Sequence, residues 1–235
     1  SKLRDDKVAR EVVVSALLLI QAEKLGVNET TLEYFGAAIS GAIDGDGTLS
    51  AARKEVYITS GELEVALLWT AAIVAHGIRA KTLERNDASM VYLRGDDAAR
   101  LAAIYFLYGL PLLKGDERVV NHKRAEAVEL GAGRLDIRWE GLRKTKGGAA
   151  ADLIISVDDV VVKYNVHLYK NTFLLEFDST NRSRVELAVR LLRLAGVDVE
   201  VQEKGGGWSV RAYTDRLAAG HEKLRKALAE IVRKA

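Results

Sequence analysis

The chain has 235 residues, length for one large domain or two small ones, and its 49% hydrophobic and 29% charged content is the balance of a globular protein with a core. That balance excludes a disordered or collagen-like chain, and the absence of cysteine excludes a disulfide-stapled scaffold. With 35 basic against 33 acidic residues the net charge is only +2, so a nucleic-acid role has to be argued from where charges sit and not from their total.

Val8–Gly26 reads as an apolar-rich helix closed by glycine. Its longest apolar run, Val12–Ile20, is too short to cross a bilayer, and no charged leader precedes a cleavage site, so the expectation is a cytoplasmic chain with no membrane partner. Asn28, Thr30 and Thr31 offer N-caps for a second helix through Leu32, Phe35 and Ile39 to a Gly/Asp cluster at Asp44–Gly47. Strands are expected at Thr48–Ala52 and Glu55–Thr59, a helix at Gly61–His76, and strands at Ile78–Arg85 and Ser89–Leu93 around an Asn86-Asp87 turn. His76 is placed to cap helix carbonyls. Asp96 is the expected cap of a further helix to Tyr108, ended by Gly109 and the only proline, Pro111.

Arg118–Gly148 carries Lys123, Arg124, Arg134, Arg138, Arg143, Lys144 and Lys146 and reads as a basic, solvated connector. Beyond it, strands are expected at Val160–Lys170 and Thr172–Phe177, a helix at Asn181–Leu194, strands at Val197–Val201 and Trp208–Tyr213 across the Gly205–Gly207 turn, and a last helix at Arg216–Lys234. A shift of 119 residues lays Thr59–Asp96 on Asp178–Asp215 without a gap and pairs Ser60 with Ser179, Gly77 with Gly196 and Asp96 with Asp215. The expected organisation is therefore a duplication, with half-domains at 1–118 and 119–235. Trp69 and Trp208 lie on apolar faces and read as core.

Ile39–Gly47 places Ala38, Gly41, Ala42 and Gly45 on one helix face, suited to close approach of a second backbone, and puts Asp44 and Asp46 at the C-terminal end. The helix dipole disfavours acids there unless a cation offsets them, which points to a divalent site with Mg²⁺ (or Mn²⁺) as the hard cation for oxygen ligands. An EF-hand register fails, because it puts Ala42 and Arg53 at the first and twelfth ligand positions.

This nine-residue stretch, followed by strand-strand-helix-strand-strand-helix, resembles the LAGLIDADG homing endonucleases over residues 32 to about 124. The resemblance implies an α+β fold of duplicated αββαββα half-domains forming a pseudo-symmetric saddle of antiparallel sheets, and metal-dependent hydrolysis of double-stranded DNA. It implies Asp46 as metal ligand with Asp44 supporting the helix end, and Ser60 near the catalytic water. Lys114 would be the base near the scissile phosphate, with Arg118 and Lys123 as substitutes. Family members with a single motif dimerise through the motif helix, whereas monomers carry two motifs. Here the shift pairs Asp46 with Asn165, inside a strand-like stretch, so the second half lacks the motif helix. Three accounts stay open: a homodimer through the motif helix, a monomer of two pseudo-repeats that nicks or only binds DNA, or a fused domain of other origin. From Trp139 to Ala235 the chain also resembles a family of paralogous repeat proteins of hyperthermophilic crenarchaea. Such an origin agrees with one Met, two Gln and six Asn beside abundant Lys, Arg and Glu.

Independently of the motif, strand alternation builds polar faces able to meet phosphates and base edges. In Val160–Lys170 that face is Lys163, Asn165, His167 and Tyr169. Arg79, Lys81 and Arg85 alternate in the first half, Arg53, Lys54 and Arg94 lie at strand ends, and Ser209, Arg211 and Tyr213 alternate in the second. A DNA-binding protein that keeps the architecture without cleaving is the rival reading.

Overall fold

The computed structural model describes residues 2–85, 88–109, 117–170 and 172–235. They form an α+β fold of two compact units, 1–133 and 134–235, each built on its own antiparallel sheet. No helix among the described residues is long and apolar enough to cross a membrane.

The first unit runs α1 (Lys2–Leu25), α2 (Glu29–Asp46), β1 (Gly47–Ser50), β2 (Glu55–Ser60), α3 (Leu63–Ala75), β3 (Lys81–Arg85), β4 (Ala88–Arg94), α4 (Asp96–Tyr108) and α5 (Glu117–Gly131). Gly26, at φ +71°, ends α1, and three residues later α2 starts. Asn28 caps α2 in a reciprocal box: its side chain accepts from Thr31 N at 3.1 Å, while Asn28 N donates to Thr31 Oγ1 at 2.9 Å. Leu32, Phe35, Ile39 and Ile43 recur every three or four residues on α2 and are buried with Val56, Ile58, Val91 and Leu93 of the sheet. The strand order is β1-β2-β4-β3.

Several expectations need correction. The helix after β4 begins at Asp96 itself; Gly95, at φ +64°, is the cap residue, and no side chain caps it. Ile78 is fully buried at the end of α3, so the next strand starts only at Lys81. The stretch read as a solvated connector is ordered structure. Its first part is α5, whose Ala127 and Leu130 are buried and whose Gly131 abuts the Ala103 backbone of α4, so the first unit extends to Gly133. The apolar pair sits three residues apart among charges, too sparse a stripe to stand out in sequence. Asn86-Asp87 and Pro111–Lys114 lie outside the described residues, as does the side chain of Arg118.

The second unit runs β5 (Leu135–Thr145), β6 (Gly148–Val157), β7 (Val160–Tyr169), β8 (Thr172–Ser179), α6 (Arg182–Leu194), β9 (Glu200–Lys204), β10 (Gly207–Tyr213), α7 (Thr214–Ala218) and α8 (Glu222–Lys234), in the strand order β5-β6-β7-β8-β10-β9. The expected final helix is broken in two. Gly220 is buried where a side chain would strike Leu224 and Val197, and His221 then starts α8 by accepting from Lys223 N.

The 119-residue shift describes this frame closely. It carries the pairs Glu55↔Arg94, Ser60↔Ser89 and Lys81↔Tyr92 onto Leu174↔Tyr213, Ser179↔Trp208 and Glu200↔Arg211, and α3 onto α6. Gly77 and Gly196 share φ +75° at the helix ends. The frame departs at β1: Gly47 pairs with Ile58, whereas Val166 pairs with Leu175, two residues off. Ahead of β7 stands the β5–β6 hairpin in place of a motif helix.

His76 is completely buried at the end of α3, with Nδ1 2.8 Å from Ala72 O and its ring stacked on Phe35 at 4.0 Å. Burial lowers its pKa below 6.5, against the pull of the Ala72 carbonyl, and Nε2 has no partner among the described residues. The unfolded chain thus binds the proton more readily than the folded one. Its contribution to stability is full above pH 6.5 and is lost as pH falls through the folded pKa. In melting experiments between pH 7.5 and 5, the stability of His76→Leu relative to wild type is expected to rise as pH falls; a difference independent of pH would refute this.

Candidate functional site

The acidic end of α2 is assembled from three elements. Asp44 accepts a 2.5 Å hydrogen bond from the buried Tyr105 hydroxyl of α4, and burial together with this bond pushes the tyrosine pKa up. Asp46 is exposed and accepts from the Lys7 ammonium of α1, which the bond holds above its ordinary pKa. Lys7 also lies 4.0 Å from Glu11. Lys123 of α5 donates to Ile43 O at 2.7 Å and Asp44 O at 2.9 Å, satisfying carbonyls that a helix end leaves open. The expectation of a divalent cation rested on uncompensated negative charge, and two lysines supply the compensation. Mg²⁺ asks for several oxygen donors in octahedral array. Asp46 offers one carboxylate already bonded to an ammonium, and among the described residues no three acidic or histidine side chains gather to hold a metal. The described residues here do not fit a resident divalent ion.

Ser60 is buried on the helix-facing side of β2, where its hydroxyl donates to Glu62 O at 3.1 Å and accepts from Glu62 N at 3.3 Å, shaping the turn into α3. The small-residue face of α2 lines a cleft of about 760 Å³ beside α1, with Trp69 also in its lining. A methyl added at Gly41 or Gly45 would meet no atom within 4 Å, so no described segment uses the close approach these glycines permit.

The sheets offer the second candidate. The open face of the first sheet carries Glu55, Tyr57 and Thr59 on β2, Met90, Tyr92 and Arg94 on β4, and Lys81, Leu83 and Arg85 on β3, while Val56, Ile58, Val91 and Leu93 face the helices. Tyr57 and Tyr92 stand opposite each other with ring centroids 5.0 Å apart, and both hydroxyls donate to Glu55, at 3.1 and 2.9 Å. Desolvation, then the Glu55 bonds, raise both phenol pKa values. Arg53 and Lys54 occupy the β1–β2 turn. Arg79 lies off the sheet and pairs with Asp97 at 3.1 Å.

On the second sheet, Lys163, Asn165, His167 and Tyr169 share the open face as the alternation predicts, and His167 stacks on Tyr169 at 5.9 Å. Yet that face is not basic, because carboxylates sit among the cations. Asp152 takes Lys163 at 2.7 Å and Arg143 at 3.0 Å, and the Lys163 bond foremost keeps its carboxyl below the usual range. Burial, the largest single effect, works to raise Glu176, but the hydrogen bonds and charge of Arg211 together with Lys204 and Ser209 outweigh it and hold the carboxyl low. Lys163 and Arg211, expected as DNA contacts, thus neutralise acids of their own sheet. Asp152 escapes sequence reading because it lies inside the apolar run of β6; only the pairing Asp152↔Asn165 and Ile154↔Lys163 brings it beside β7.

No protein-family model and no curated protein matches the chain. Among solved structures it is similar to a crystal structure of the meganuclease I-SmaMI bound to uncleavable DNA, at 9% sequence identity and a TM-score of 0.21, over 85% of this chain and 82% of that one.

Proposed function

We propose that the chain is a non-cleaving DNA-binding protein that uses the open face of the first unit's sheet. The observation that supports this reading is the gathering of Lys81, Arg85 and Arg94 on one sheet face with Arg53 and Lys54 at its end. Among the described residues none of the five has a carboxylate at ion-pair distance, unlike Lys163 and Arg211. Cations that lack a carboxylate partner among the described residues, on a face turned away from the helices, suit a phosphate backbone, and their effect is salt-dependent.

The test is binding of labelled duplex DNA across a salt series, in EDTA and in Mg²⁺. Binding is expected in EDTA, with affinity falling steeply with salt. The triple substitution Lys81→Ala, Arg85→Ala and Arg94→Ala is expected to flatten the log–log slope by about 2 to 3. No binding at low salt refutes the reading. Mg²⁺-dependent strand breaks abolished by Asp46→Asn would replace it with the endonuclease reading.

A further inference from the structure

The duplicated frame places different chemistry at one and the same pair of positions. The cross-strand pair Tyr57↔Tyr92 of the first sheet falls, under the 119-residue shift, on Glu176↔Arg211 of the second. In the second sheet this pair is an ion pair at the centre of a charge-balanced face. In the first it is two aromatic rings, with Leu83, 36% exposed, and Met90 beside them and Lys81, Arg85, Arg94 and Arg53 around them. The rings are on the face turned away from the helices, so core burial does not account for them. Both hydroxyls are tied to Glu55, which fixes the rings and limits the side-chain entropy lost on binding.

A fixed aromatic pair with an apolar floor and a cationic rim is what unpaired bases need: rings to stack on and cations for the phosphates. Bases within an intact duplex present only their edges and cannot stack on a side chain. Resting on the nucleic-acid reading above, we infer that this face is a stacking platform for unpaired nucleotides and prefers single-stranded nucleic acid to duplex.

The experiment compares fluorescence anisotropy of a labelled single-stranded oligonucleotide with that of the same sequence as a duplex, at matched salt. Wild type is expected to bind the single strand at least tenfold more tightly. Tyr57→Ala and Tyr92→Ala should each weaken single-strand binding by roughly five- to hundredfold, the range of one lost base stack, with duplex binding little changed. Tyr57→Phe and Tyr92→Phe, which keep the rings but lose their ties to Glu55, should weaken single-strand binding by about two- to tenfold, less than the alanine variants. The double variant Tyr57→Glu, Tyr92→Arg writes the second sheet's ion pair into the first and keeps the face foldable, and it should abolish the preference. Equal affinity for single strand and duplex, or an unchanged preference in the double variant, overturns the stacking platform while leaving nucleic-acid binding intact. Failure to bind either form overturns both.

Discussion

Replacing Gly36 with valine is expected to lower the stability of the first unit by about 3 kcal/mol or more. Gly36 lies on the buried face of α2, and a Cβ placed there would sit 2.4 Å from Tyr108 Cβ, 3.1 Å from Ile104 O and 3.3 Å from Ile104 Cγ2. One of those atoms is backbone of α4 and another is fixed to it, so relief requires the two helices to separate. Cores resist such separation because their packing is near that of a crystal. The informative comparison is with Gly41→Ala and Gly45→Ala in the same helix. They meet nothing within 4 Å, and exchanging glycine for alanine in a helix interior is worth up to about 1 kcal/mol in their favour. Chemical denaturation of the three variants decides the matter: equal costs would mean that close approach to α4 is not what Gly36 provides.

Lys123→Met is expected to destabilise the first unit by about 2 kcal/mol, since hydrogen bonds from charged donors contribute roughly 1.5–3 kcal/mol and the last turn of a helix carries partial negative charge. The half-buried ammonium serves Ile43 O and Asp44 O, two open carbonyls at the end of α2. Lys7→Met removes the other cation, but its ion pair with Asp46 is open to solvent, with side chains 56% and 43% exposed, and water and salt screen it to at most about 0.5 kcal/mol. Denaturation midpoints of the two variants measure this difference. A larger loss for Lys7→Met would show that the charge of Asp46, and not the open carbonyls, is what the lysines hold in place.

The two glycine-rich stretches of the chain illustrate what a sequence can and cannot say. The spacing of Ala38, Gly41, Ala42 and Gly45 correctly marks a small-residue helix face, yet the tight helix contact is made one face away, at Gly36 against α4. Gly205–Gly207 joins two strands as read, with Gly205 at φ +46° and Gly206 at +93°, because a hairpin turn is decided within a few residues. The small-residue face marks where a backbone could approach but not whether one does, because contacts between distant segments are not written in local spacing.

Local signals therefore carried the helix starts at Asn28 and Asn181, the stops at Gly26 and Gly77, the polar face of β7, and the order of elements that makes the two sheets alike under one shift. These depend on neighbours within four residues along the chain or on alternation along one strand, and both are written in the sequence. Which charges meet was decided only in three dimensions. Lys123 reaches a helix end 80 residues earlier, Lys7 reaches Asp46 across 39 residues, and strand register sets Asp152 against Lys163 and Glu176 against Arg211. A one-residue change of register would exchange the faces of a strand, so no reading of single strands could show that the second sheet's cations are spent on its own acids. The same register leaves the first sheet's cations around two tyrosines, on the face turned away from the helices.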